Sequence, residues 1–273
     1  MADSEINKPA AVVLSIAGSD SSGGAGIQAD LKAGAAFGVF VATAITAITA
    51  QHSAGVSGIY PLTPEQLQAQ IEAVLSGLPV TAIKIGMLAN IELAEVVAKG
   101  LEATDLPVVL DPVMGATSGS SLMTENGVTQ FFRERLLPLA TLVTPNVAEA
   151  ARLLDTQLAD TYDELERQAQ ALHRLSGRAV LLNGGDAQLP LAVDYLVTEA
   201  GVKPCSAPRQ NTSHTHGGGC TLASAIAAGL AQGLSLEQSV AAAKSYIQGA
   251  ITHSARLHLV PQNGPIHHFF QYW

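Results

Sequence analysis

The sequence predicts an α/β protein of three layers, in which helices flank a mostly parallel central sheet. Short apolar runs, typical of strands buried on both faces, alternate with amphipathic helical segments along the chain. The connections between these segments are short, as in repeated β-α units. No internal repeat and no Pro- or Ser-rich linker divides the 273 residues. The sequence therefore predicts a single domain that spans residues 1–273.

The first half of the chain begins with an apolar strand, and a Gly-rich turn leads from it into a helix. After a second strand, Thr63 is the expected N-cap of a helix that has Pro64 at its first position. Two further strands come next, with a helix between them. The predicted strands are 11–17, 41–50, 82–85 and 107–110, and the predicted helices are 26–37, 64–75 and 91–101.

The second half continues the alternation and ends in two helices. The alternating segment that ends at residue 198 and the one that begins at residue 202 predict a hairpin, because the sequence Glu-Ala-Gly separates them. The predicted strands are 141–143, 179–182, 191–198 and 202–207, and the predicted helices are 125–136, 146–154, 163–175, 219–232 and 236–257.

Composition narrows the functional classes. The chain has 14 Lys and Arg against 23 Asp and Glu, which gives a net charge of −9. This balance argues against nucleic acid and anionic membranes as partners, since both require clustered basic residues. Residues 33–64 carry no charge, but the stretch is rich in Ala, Thr, Gly and Ser and lacks the apolar density of a membrane span.

The two cysteines, Cys205 and Cys220, have no Cys-x-x-Cys spacing, which disfavours a disulfide scaffold and a thiolate zinc site. The first eight residues are polar and acidic, unlike a secretory leader. We therefore expect a reducing, cytoplasmic location.

Polar residues come directly after five of the predicted strands. In a parallel sheet the carboxyl ends of the strands meet at one edge, where ligands bind. Each segment alone has a simpler explanation as a turn or a helix cap, but their convergence at one edge predicts a binding site. The segments are the Gly-rich turn 18–26 with Asp20 and, further on, Asp30; Gln51-His52; Gly86-Met87; Asp111-Pro-Val-Met114; and Thr144-Pro-Asn-Val-Ala-Glu149.

The most specific local signal is the segment 214–222, His-Thr-His-Gly-Gly-Gly-Cys-Thr-Leu, which opens an Ala-rich helix. Glycines before a helix leave backbone N–H groups accessible, and the helix N-terminus favours anions. Cys220 lies in the first turn, where a helix N-terminus lowers the pKa of a thiol. Spacing alone does not separate a reactive thiol from a small buried one. No Walker motif and no G-x-G-x-x-G is present.

Two histidine pairs, His214/His216 and His267/His268, invite a zinc interpretation. Neither pair has the i, i+4 helical spacing with a nearby acid that such a site uses, so packed or solvated histidines are favoured. The aromatic C-terminus, residues 265–273, is expected to pack on the domain.

These segments together resemble the hydroxymethylpyrimidine/phosphomethylpyrimidine kinases of thiamine biosynthesis, which have the ribokinase-like fold. The resemblance covers nearly the whole chain. It rests on residues 17–32 (AGSDSSGGAGIQADLK), Thr46-Ala…Ala50-Gln51, 84–88 (KIGML), 109–114 (VLDPVM), Thr144-Pro-Asn-x-x-Glu149, 215–222 (THGGGCTL) and 264–268 (GPIHH).

The resemblance implies ATP-dependent phosphorylation of hydroxymethylpyrimidine and of its monophosphate. It implies that Asp30 and Gln51 bind the pyrimidine in a pocket lined by Gly18, Met87 and Val113. A carboxylate and an amide suit an aminopyrimidine, because they pair with ring nitrogens and the exocyclic amine.

The resemblance also implies the phosphoryl-transfer groups. Cys220 matches the catalytic cysteine, and Gly217, Gly218 and Gly219 match the anion hole. Asn146 and Glu149 match the element that organises Mg²⁺ and phosphate, with Asp111 nearby as a second metal ligand. The implied cofactors are ATP and Mg²⁺, and the implied assembly is a homodimer.

This chain departs from the family pattern at two places. Gly218 stands where the family usually has Thr, which removes a hydroxyl that could donate to phosphate. The family's Lys-Gly-Gly-His appears here as Asn183-Gly-Gly-Asp186. At Asn183, a nucleotide-binding position, a cation that would neutralise ATP phosphates is therefore missing.

Two other functions stay open on the sequence. A pyridoxal/pyridoxine kinase would phosphorylate a similar CH₂–OH group on a similar ring. A non-catalytic pyrimidine-binding protein is suggested by the missing Lys and Thr. A cysteine hydrolase is weaker, because no His or Asp can be assigned to orient Cys220.

Overall fold

A computed structural model describes residues 10–115 and 127–273. Its nine strands form one sheet, in the order β3-β2-β1-β4-β5-β6-β7-β8-β9. The strands are β1 Val12–Asp20, β2 Phe40–His52, β3 Gly55–Pro61, β4 Ala82–Ile85, β5 Val108–Leu110, β6 Leu142–Val143, β7 Ala179–Leu182, β8 Leu191–Thr198 and β9 Gly201–Pro208. The helices are α1 Gly26–Ala36, α2 Pro64–Gly77, α3 Ile91–Glu102, α4 Val128–Phe131, α5 Val147–Leu154, α6 Tyr162–Ser176, α7 Gly218–Ala231 and α8 Leu236–Thr252.

The centre of the sheet is parallel, as the sequence predicts. Strands β2, β1, β4, β5, β6 and β7 run parallel to one another, whereas β3, β8 and β9 join the sheet through antiparallel pairs and lie towards the two edges. The carboxyl ends of the six parallel strands therefore meet at one edge, and the polar segments that come after these strands meet there too.

Helices cover both faces of this sheet. Successive side chains of a strand point to opposite faces, so Val13 and Leu14 of β1 enter different cores. Leu14 packs in the core that contains residues of α2, α3, α5 and α6. Val13 packs in the core that contains residues of α1, α7 and α8. The prediction of three layers is confirmed.

Several element boundaries differ from the sequence prediction. The predicted helix 125–136 begins partly outside the described residues, and α4 leads directly into a π-helical segment, Phe132–Leu136. The final helix ends at Thr252 rather than at residue 257 and continues into a 3₁₀ turn, Ser254–Leu257. The sequence prediction missed β3, because its Gly and Ser residues resemble a loop, while pairing with β2 makes it a strand.

The first strand continues three residues beyond its predicted end, through Gly18 to Asp20. This extension carries the backbone of the Gly-rich turn to the edge of the sheet and places Asp20 at the site. Within the described residues, no helix has both the length and the hydropathy needed to cross a bilayer.

Candidate active site

A single open cavity lies at the carboxyl ends of the parallel strands and is bounded on another side by the N-terminus of α7. It collects most of the residues singled out in the sequence. The resemblance gives thirteen residues a role at the site. Twelve of them line the cavity, namely Gly18, Gln51, Met87, Asp111, Val113, Asn146, Glu149, Asn183, Gly217, Gly218, Gly219 and Cys220. The structure thus brings together segments that lie far apart in the sequence.

Asp30 is the exception and is a correction to the sequence expectation. Its side chain is fully buried in α1 and does not line the cavity. Ser15 Oγ and Ser224 Oγ each donate a hydrogen bond to its carboxylate at 2.6 Å, and Lys84 Nζ lies 2.9 Å from both of its oxygens. A direct contact between Asp30 and a bound pyrimidine is not compatible with this arrangement.

The partner of Asp30, Lys84 in β4, is also fully buried. Burial acts to lower the pKa of Lys84, but the negative charge of Asp30 and the nearby Cys220 and Asp111 outweigh it and raise this pKa above its usual value. Lys84 therefore remains an ammonium ion in the floor beneath the site. No role for Lys84 follows from the sequence alone. A lysine within an otherwise apolar strand is nevertheless a signal that a buried charge with a partner is present.

One end of the cavity has the character of a pocket for a flat ring. Met87 and Val113 belong to a small apolar cluster there. Thr46 Oγ1 donates a hydrogen bond to the Met87 carbonyl oxygen at 2.6 Å. A Cβ at Gly18 would lie 3.3 Å from the Met87 sulfur, so a side chain at this position would crowd it. Gln51 supplies the amide at this end, and its Oε1 accepts a hydrogen bond from Thr49 Oγ1 at 3.2 Å.

Asp20, from the first Gly-rich turn, and His216, which the sequence favours as a packed or solvated histidine, also line this end. His216 Nε2 lies 2.8 Å from Asp20 Oδ2 and 3.5 Å from Gln51 Nε2. Burial acts to raise the pKa of Asp20, but hydrogen bonds from His216, Ser22 and Ala25 lower it to about 2. The Asp20–His216 pair joins the first Gly-rich turn to the second. The signal in the sequence was weak, because the two residues are 196 positions apart.

The second Gly-rich turn is held against the first. Gly217 has a φ of +81°, and a Cβ there would overlap the carbonyl oxygen of Gly24, so both the conformation and the close approach require glycine. The Gly218 N–H donates to Thr215 O at 3.0 Å, so this group of the expected anion hole is used within the turn. The N–H groups of Gly219 and Cys220 lie in the first turn of α7, which lacks intrahelical acceptors.

The C-terminal segment supports this turn from outside, as expected of a packed C-terminus. The His216 N–H donates to Gly264 O at 3.1 Å, and the Ile266 N–H donates to His216 O at 3.3 Å. Within the first turn of α7, Thr221 Oγ1 lies 2.9 Å from His268 Nε2. The described histidines of this region are therefore packed, which agrees with the sequence analysis.

Cys220 lies in the wall of the cavity, but its thiol does not have the expected electrostatics. Burial raises the pKa of Cys220 to about 12, and the charges of Asp111 and Asp30 act in the same direction, while Lys84 opposes them. The expectation that the helix N-terminus lowers this pKa is wrong, because the effect of burial is larger. The thiol hydrogen-bonds to Asp111 and is the neutral form at pH 7.

Two buried carboxyl groups of the cavity, Asp111 and Glu149, have raised pKa values. Burial raises the pKa of Asp111 to about 6 despite the opposing charge of Lys84. Burial also raises the pKa of Glu149 well above its usual value, and the negative charge of Asp111 adds to this effect. A bound cation would stabilise the charged form of both buried carboxylates.

The residues present therefore fit Mg²⁺, which prefers carboxylate oxygens and is commonly held by one or two carboxylates together with substrate phosphates. Across residues 10–115 and 127–273, no cluster of three or more His, Cys, Asp or Glu side chains is arranged to enclose a metal ion by itself. Asp111 and Glu149 would thus supply only some of the ligands of Mg²⁺, and substrate phosphates would supply others.

Asn146 and Glu149 also have a structural role. Asn146 Oδ1 accepts the Glu149 N–H at 2.8 Å, and Glu149 Oε2 accepts the Asn146 N–H at 3.0 Å, which forms a capping box at the start of α5. Asn183 lies beside Asn146, with which it forms a short parallel β-bridge. The Asn183 N–H donates to Pro145 O at 2.8 Å. The capping box fixes the Glu149 carboxylate towards the cavity.

The relatives of this chain identify its family. A sequence model described as phosphomethylpyrimidine kinase matches residues 20–267. The chain belongs to the phosphomethylpyrimidine kinase family. A relative from Rhizobium meliloti, a hydroxymethylpyrimidine/phosphomethylpyrimidine kinase, is 46% identical over 263 residues, which cover 96% of this chain and 98% of the relative. The resemblance inferred from the motifs is confirmed.

Solved structures agree with this family and its ribokinase-like fold. The phosphomethylpyrimidine kinase from Clostridium difficile 630 has a TM-score of 0.77 at 37% identity and covers 88% of this chain and 99% of its own. The pyridoxal kinase from Staphylococcus aureus, in complex with AMP-PCP and pyridoxal, has a TM-score of 0.87 at 30% identity and covers 97% of this chain and 96% of its own. The fold is thus shared by phosphomethylpyrimidine kinases and pyridoxal kinases.

Removing one partner of the buried ion pair should destabilise the protein strongly. We expect Asp30→Asn to lower the free energy of unfolding by about 3–5 kcal/mol, because it leaves the Lys84 ammonium buried without a counter-charge. Urea denaturation measures this change. The control is Glu164→Gln in the exposed Glu164–Arg167 pair, 3.9 Å apart, which should change the stability far less because solvent screens exposed pairs.

The double variant Asp30→Asn/Lys84→Met separates this explanation from others. It should recover part of the lost stability, since it removes both charges. Normal stability of Asp30→Asn, together with a large rise in KM for the pyrimidine, would show instead that Asp30 contacts substrate.

Stability should also depend on pH through Asp111. The pKa of Asp111 is raised from 3.8 to about 6 in the folded protein, so folding favours the protonated carboxyl group. The stability of the folded protein is therefore greatest below about pH 4 as far as Asp111 is concerned, and this stability is lost as the pH rises through 6. We therefore expect Asp111→Asn to raise the melting temperature at pH 7 without Mg²⁺, and added Mg²⁺ to narrow this difference. The exposed Asp105→Asn variant is the control and should shift neither curve. If Asp111→Asn and the unmodified protein have the same melting temperature at both pH 4 and pH 7, the raised pKa of Asp111 is refuted.

Proposed function

We propose that this chain transfers the γ-phosphoryl group of ATP to 4-amino-5-hydroxymethyl-2-methylpyrimidine and then to the resulting monophosphate. One observation carries the proposal. A pocket for a flat ring, with Gln51 and Met87, opens into the same cavity as the Gly-rich N-terminus of α7 and Cys220. Membership of the family and the name of the Rhizobium relative, a hydroxymethylpyrimidine/phosphomethylpyrimidine kinase, support the same substrate.

The ring end of the cavity suits this pyrimidine. Met87 and Val113 would pack against the ring, and the Gln51 amide can both donate to a ring nitrogen and accept from the exocyclic amine. The Asp20–His216 pair holds the Gly-rich turns around this pocket and limits the movement of Gln51. The hydroxymethyl group would then point towards Cys220.

Cys220, or a group that it orients, would take the proton of the hydroxymethyl group as its oxygen attacks the γ-phosphorus in line. The bond to the β-γ bridging oxygen breaks, and ADP leaves. The charge of Lys84 favours the thiolate form of Cys220 and acts against the effect of burial. Lys84 and Asp30 are thus positioning residues whose charges influence the pKa of the Cys220 thiol.

Phosphate charge would be stabilised by the N–H groups of Gly219 and Cys220 and by the partial positive charge of the α7 N-terminus. Mg²⁺, held by Asp111 and Glu149 with the nucleotide, would supply further charge neutralisation. ATP as the donor is supported by the Staphylococcus aureus pyridoxal kinase, which binds AMP-PCP on the same fold.

Pyridoxal is a second candidate acceptor. The observation that favours it is the match, over 97% of this chain, to a pyridoxal kinase in complex with pyridoxal. Gln51 and the apolar ring pocket do not by themselves distinguish the two rings, so both belong in the assay.

We also propose that the chain forms a homodimer through the edge of the sheet beside β3. Ile48 of β2 and Tyr60 of β3 are directly opposite each other and both are exposed, with Tyr60 63% exposed. Phe40 on the same strand as Ile48 is exposed as well. Such exposed apolar residues at a sheet edge are typical of an interface.

The whole of residues 1–273 would act as one domain, since all nine described strands belong to a single sheet. A single cooperative unfolding transition would support this. A cytoplasmic location is supported by the two unpaired cysteines, Cys205 and Cys220, and is testable by cell fractionation.

Incubation with ATP, Mg²⁺ and hydroxymethylpyrimidine should yield the monophosphate and then the diphosphate, with phosphate transfer followed by chromatography. We expect Cys220→Ala to reduce turnover by about 10²–10⁴-fold, as for loss of a proton-transfer group, while pyrimidine binding stays measurable by calorimetry. The control, Cys205→Ala, should retain activity because Cys205 lies outside the cavity. Near-normal turnover of Cys220→Ala would refute its role. Pyrimidine binding without any product would identify a non-catalytic binding protein, and preferred transfer to pyridoxal would identify the second acceptor.

Tyr60→Glu should convert a dimer to a monomer in light scattering, because it buries a charge in the proposed interface. Leu158→Glu is the matched control, since Leu158 is 62% exposed and lies outside β2 and β3. A monomeric unmodified protein, or a dimer unaffected by Tyr60→Glu, would contradict this interface.

A further inference from the structure

Three consecutive glycines, Gly217–Gly219, open α7 directly before Cys220. Glycine loses more conformational freedom on folding than any other residue, so a run of three is costly to hold in one conformation. The N–H groups expected to bind phosphate lie in this stretch and at Cys220. Since the glycines have no side chains with which to pack, the order of this turn depends on the elements around it.

The C-terminal strap, residues 264–268, contacts the chain immediately before the three glycines. The His216 N–H donates to Gly264 O at 3.1 Å, and the Ile266 N–H donates to His216 O at 3.3 Å. The Gly264 N–H in turn donates to His214 Nδ1 at 3.0 Å. Both backbone groups of His216 are therefore hydrogen-bonded to the strap.

The strap also contacts the chain immediately after Cys220, through a hydrogen bond between two buried side chains. Thr221 Oγ1 and His268 Nε2 lie 2.9 Å apart. Burial lowers the pKa of His268 to about 3, so its ring is neutral and has one N–H and one acceptor nitrogen. The ring also hydrogen-bonds to the backbone of Ile266, whose own N–H is donated to His216. The ring N–H therefore points to the Ile266 carbonyl, and the Thr221 hydroxyl donates to Nε2.

This hydrogen bond directs the Thr221 hydroxyl away from the helix. A threonine in a helix can donate to the carbonyl four residues earlier, here that of Gly217, and such a bond bends the helix. With His268 as the acceptor of the hydroxyl, Gly217 O accepts the Thr221 N–H at 2.9 Å. The first turn of α7 is thus closed by its regular backbone bond.

The strap is itself fastened to α8. Tyr246 OH donates to His268 O at 2.8 Å, and the His267 N–H donates to Ala250 O at 3.0 Å. Ile266 is 1% exposed and packs in the core shared with α7 and α8. The position of His268 is therefore set by contacts outside the cavity.

We propose that His268 is a positioning residue for phosphoryl transfer. It acts through Thr221 to hold the end of the Gly-rich turn at Cys220, while the rest of the strap holds the other end at His216. The N–H groups of Gly219 and Cys220 are then ordered before the phosphoryl group arrives, which is how such donors stabilise a transition state. This inference rests on the proposed function for the identity of the reaction.

Thr221→Val tests the inference, because Val has the shape of Thr but no hydroxyl. We expect kcat to fall by about tenfold, as for the loss of a buried hydrogen bond. KM for the pyrimidine should stay within about twofold, since Gln51 and Met87 at the ring end do not contact the strap. Thr221→Ser retains the hydroxyl and should restore most of kcat.

Variants of His268 test the other partner of the same bond. His268→Leu has no acceptor and should give the same loss of kcat as Thr221→Val. The double variant should lose no more than either single variant, because both changes remove one contact. His268→Gln supplies an amide oxygen as acceptor and should retain most of kcat.

A change at Gly218 tests whether the strap acts by ordering the turn. A Cβ at Gly218 would meet no atom within 4 Å, so alanine fits there. Adding Gly218→Ala to Thr221→Val should recover part of the lost kcat, because alanine has fewer conformations to lose than glycine. The absence of any recovery would overturn this explanation.

Ser176→Ala separates positioning from stability. Ser176 Oγ donates to Leu172 O at 2.8 Å within α6, away from the cavity, so this variant also loses a buried hydroxyl bond. Both Ser176→Ala and Thr221→Val should have lower melting temperatures, but only Thr221→Val should have a lower kcat. An equal loss of kcat in the two variants, or a kcat of Thr221→Val within about twofold of the unmodified protein, overturns the inference.

Hydrogen exchange separates this inference from the proposed function, because it requires no turnover. The amides at positions 218 and 221 are hydrogen-bonded within the turn and should exchange faster in Thr221→Val than in the unmodified protein. If they do and no acceptor is phosphorylated, the role of the strap stands and the kinase proposal falls. If the pyrimidine is phosphorylated but exchange and kcat are unchanged, the kinase proposal stands and the role of His268 falls.

Discussion

The buried Asp30 carboxylate holds the site together, because four separate elements meet at its charge. It lies on α1 and meets Ser15 of β1, Lys84 of β4 and Ser224 of α7. A buried carboxylate is costly unless it is paired and hydrogen-bonded, so these elements must converge to fold at all. Their convergence fixes the sheet against the helix that carries Cys220. The same ion pair places a permanent positive charge below the thiol.

The upper side of the site depends on close backbone contact between two Gly-rich turns. Gly217 can approach the Gly24 carbonyl because it has no side chain, and Gly24 likewise leaves room for the His216 ring. The Asp20–His216 pair then joins the two turns. Positioning is achieved before any ligand binds, which is how an enzyme whose chemistry consists mainly of alignment and charge stabilisation works. Burial raises the pKa of Asp111 and of Glu149, and a bound cation is expected to act at these two carboxylates.

Much of the fold could be predicted from the sequence, since parallel strands buried on both faces give continuous apolar runs and short connections limit the topology. The elements that the sequence analysis missed or misplaced have weak local signals. Strand β3 is rich in Gly and Ser and exists because β2 supplies its partners, and the π-helical turn at Phe132–Leu136 has no sequence pattern that distinguishes it from an α-helix.

For the site, the sequence alone determined which residue types gather at the strand ends, because chain order and strand direction place those ends at one edge. It could not determine burial. Only the tertiary structure separates Asp30 and Lys84 from the ligand cavity and raises the pKa of Cys220. Burial and pKa values depend on desolvation and on pairing between residues far apart in the sequence, and no local segment encodes either of these.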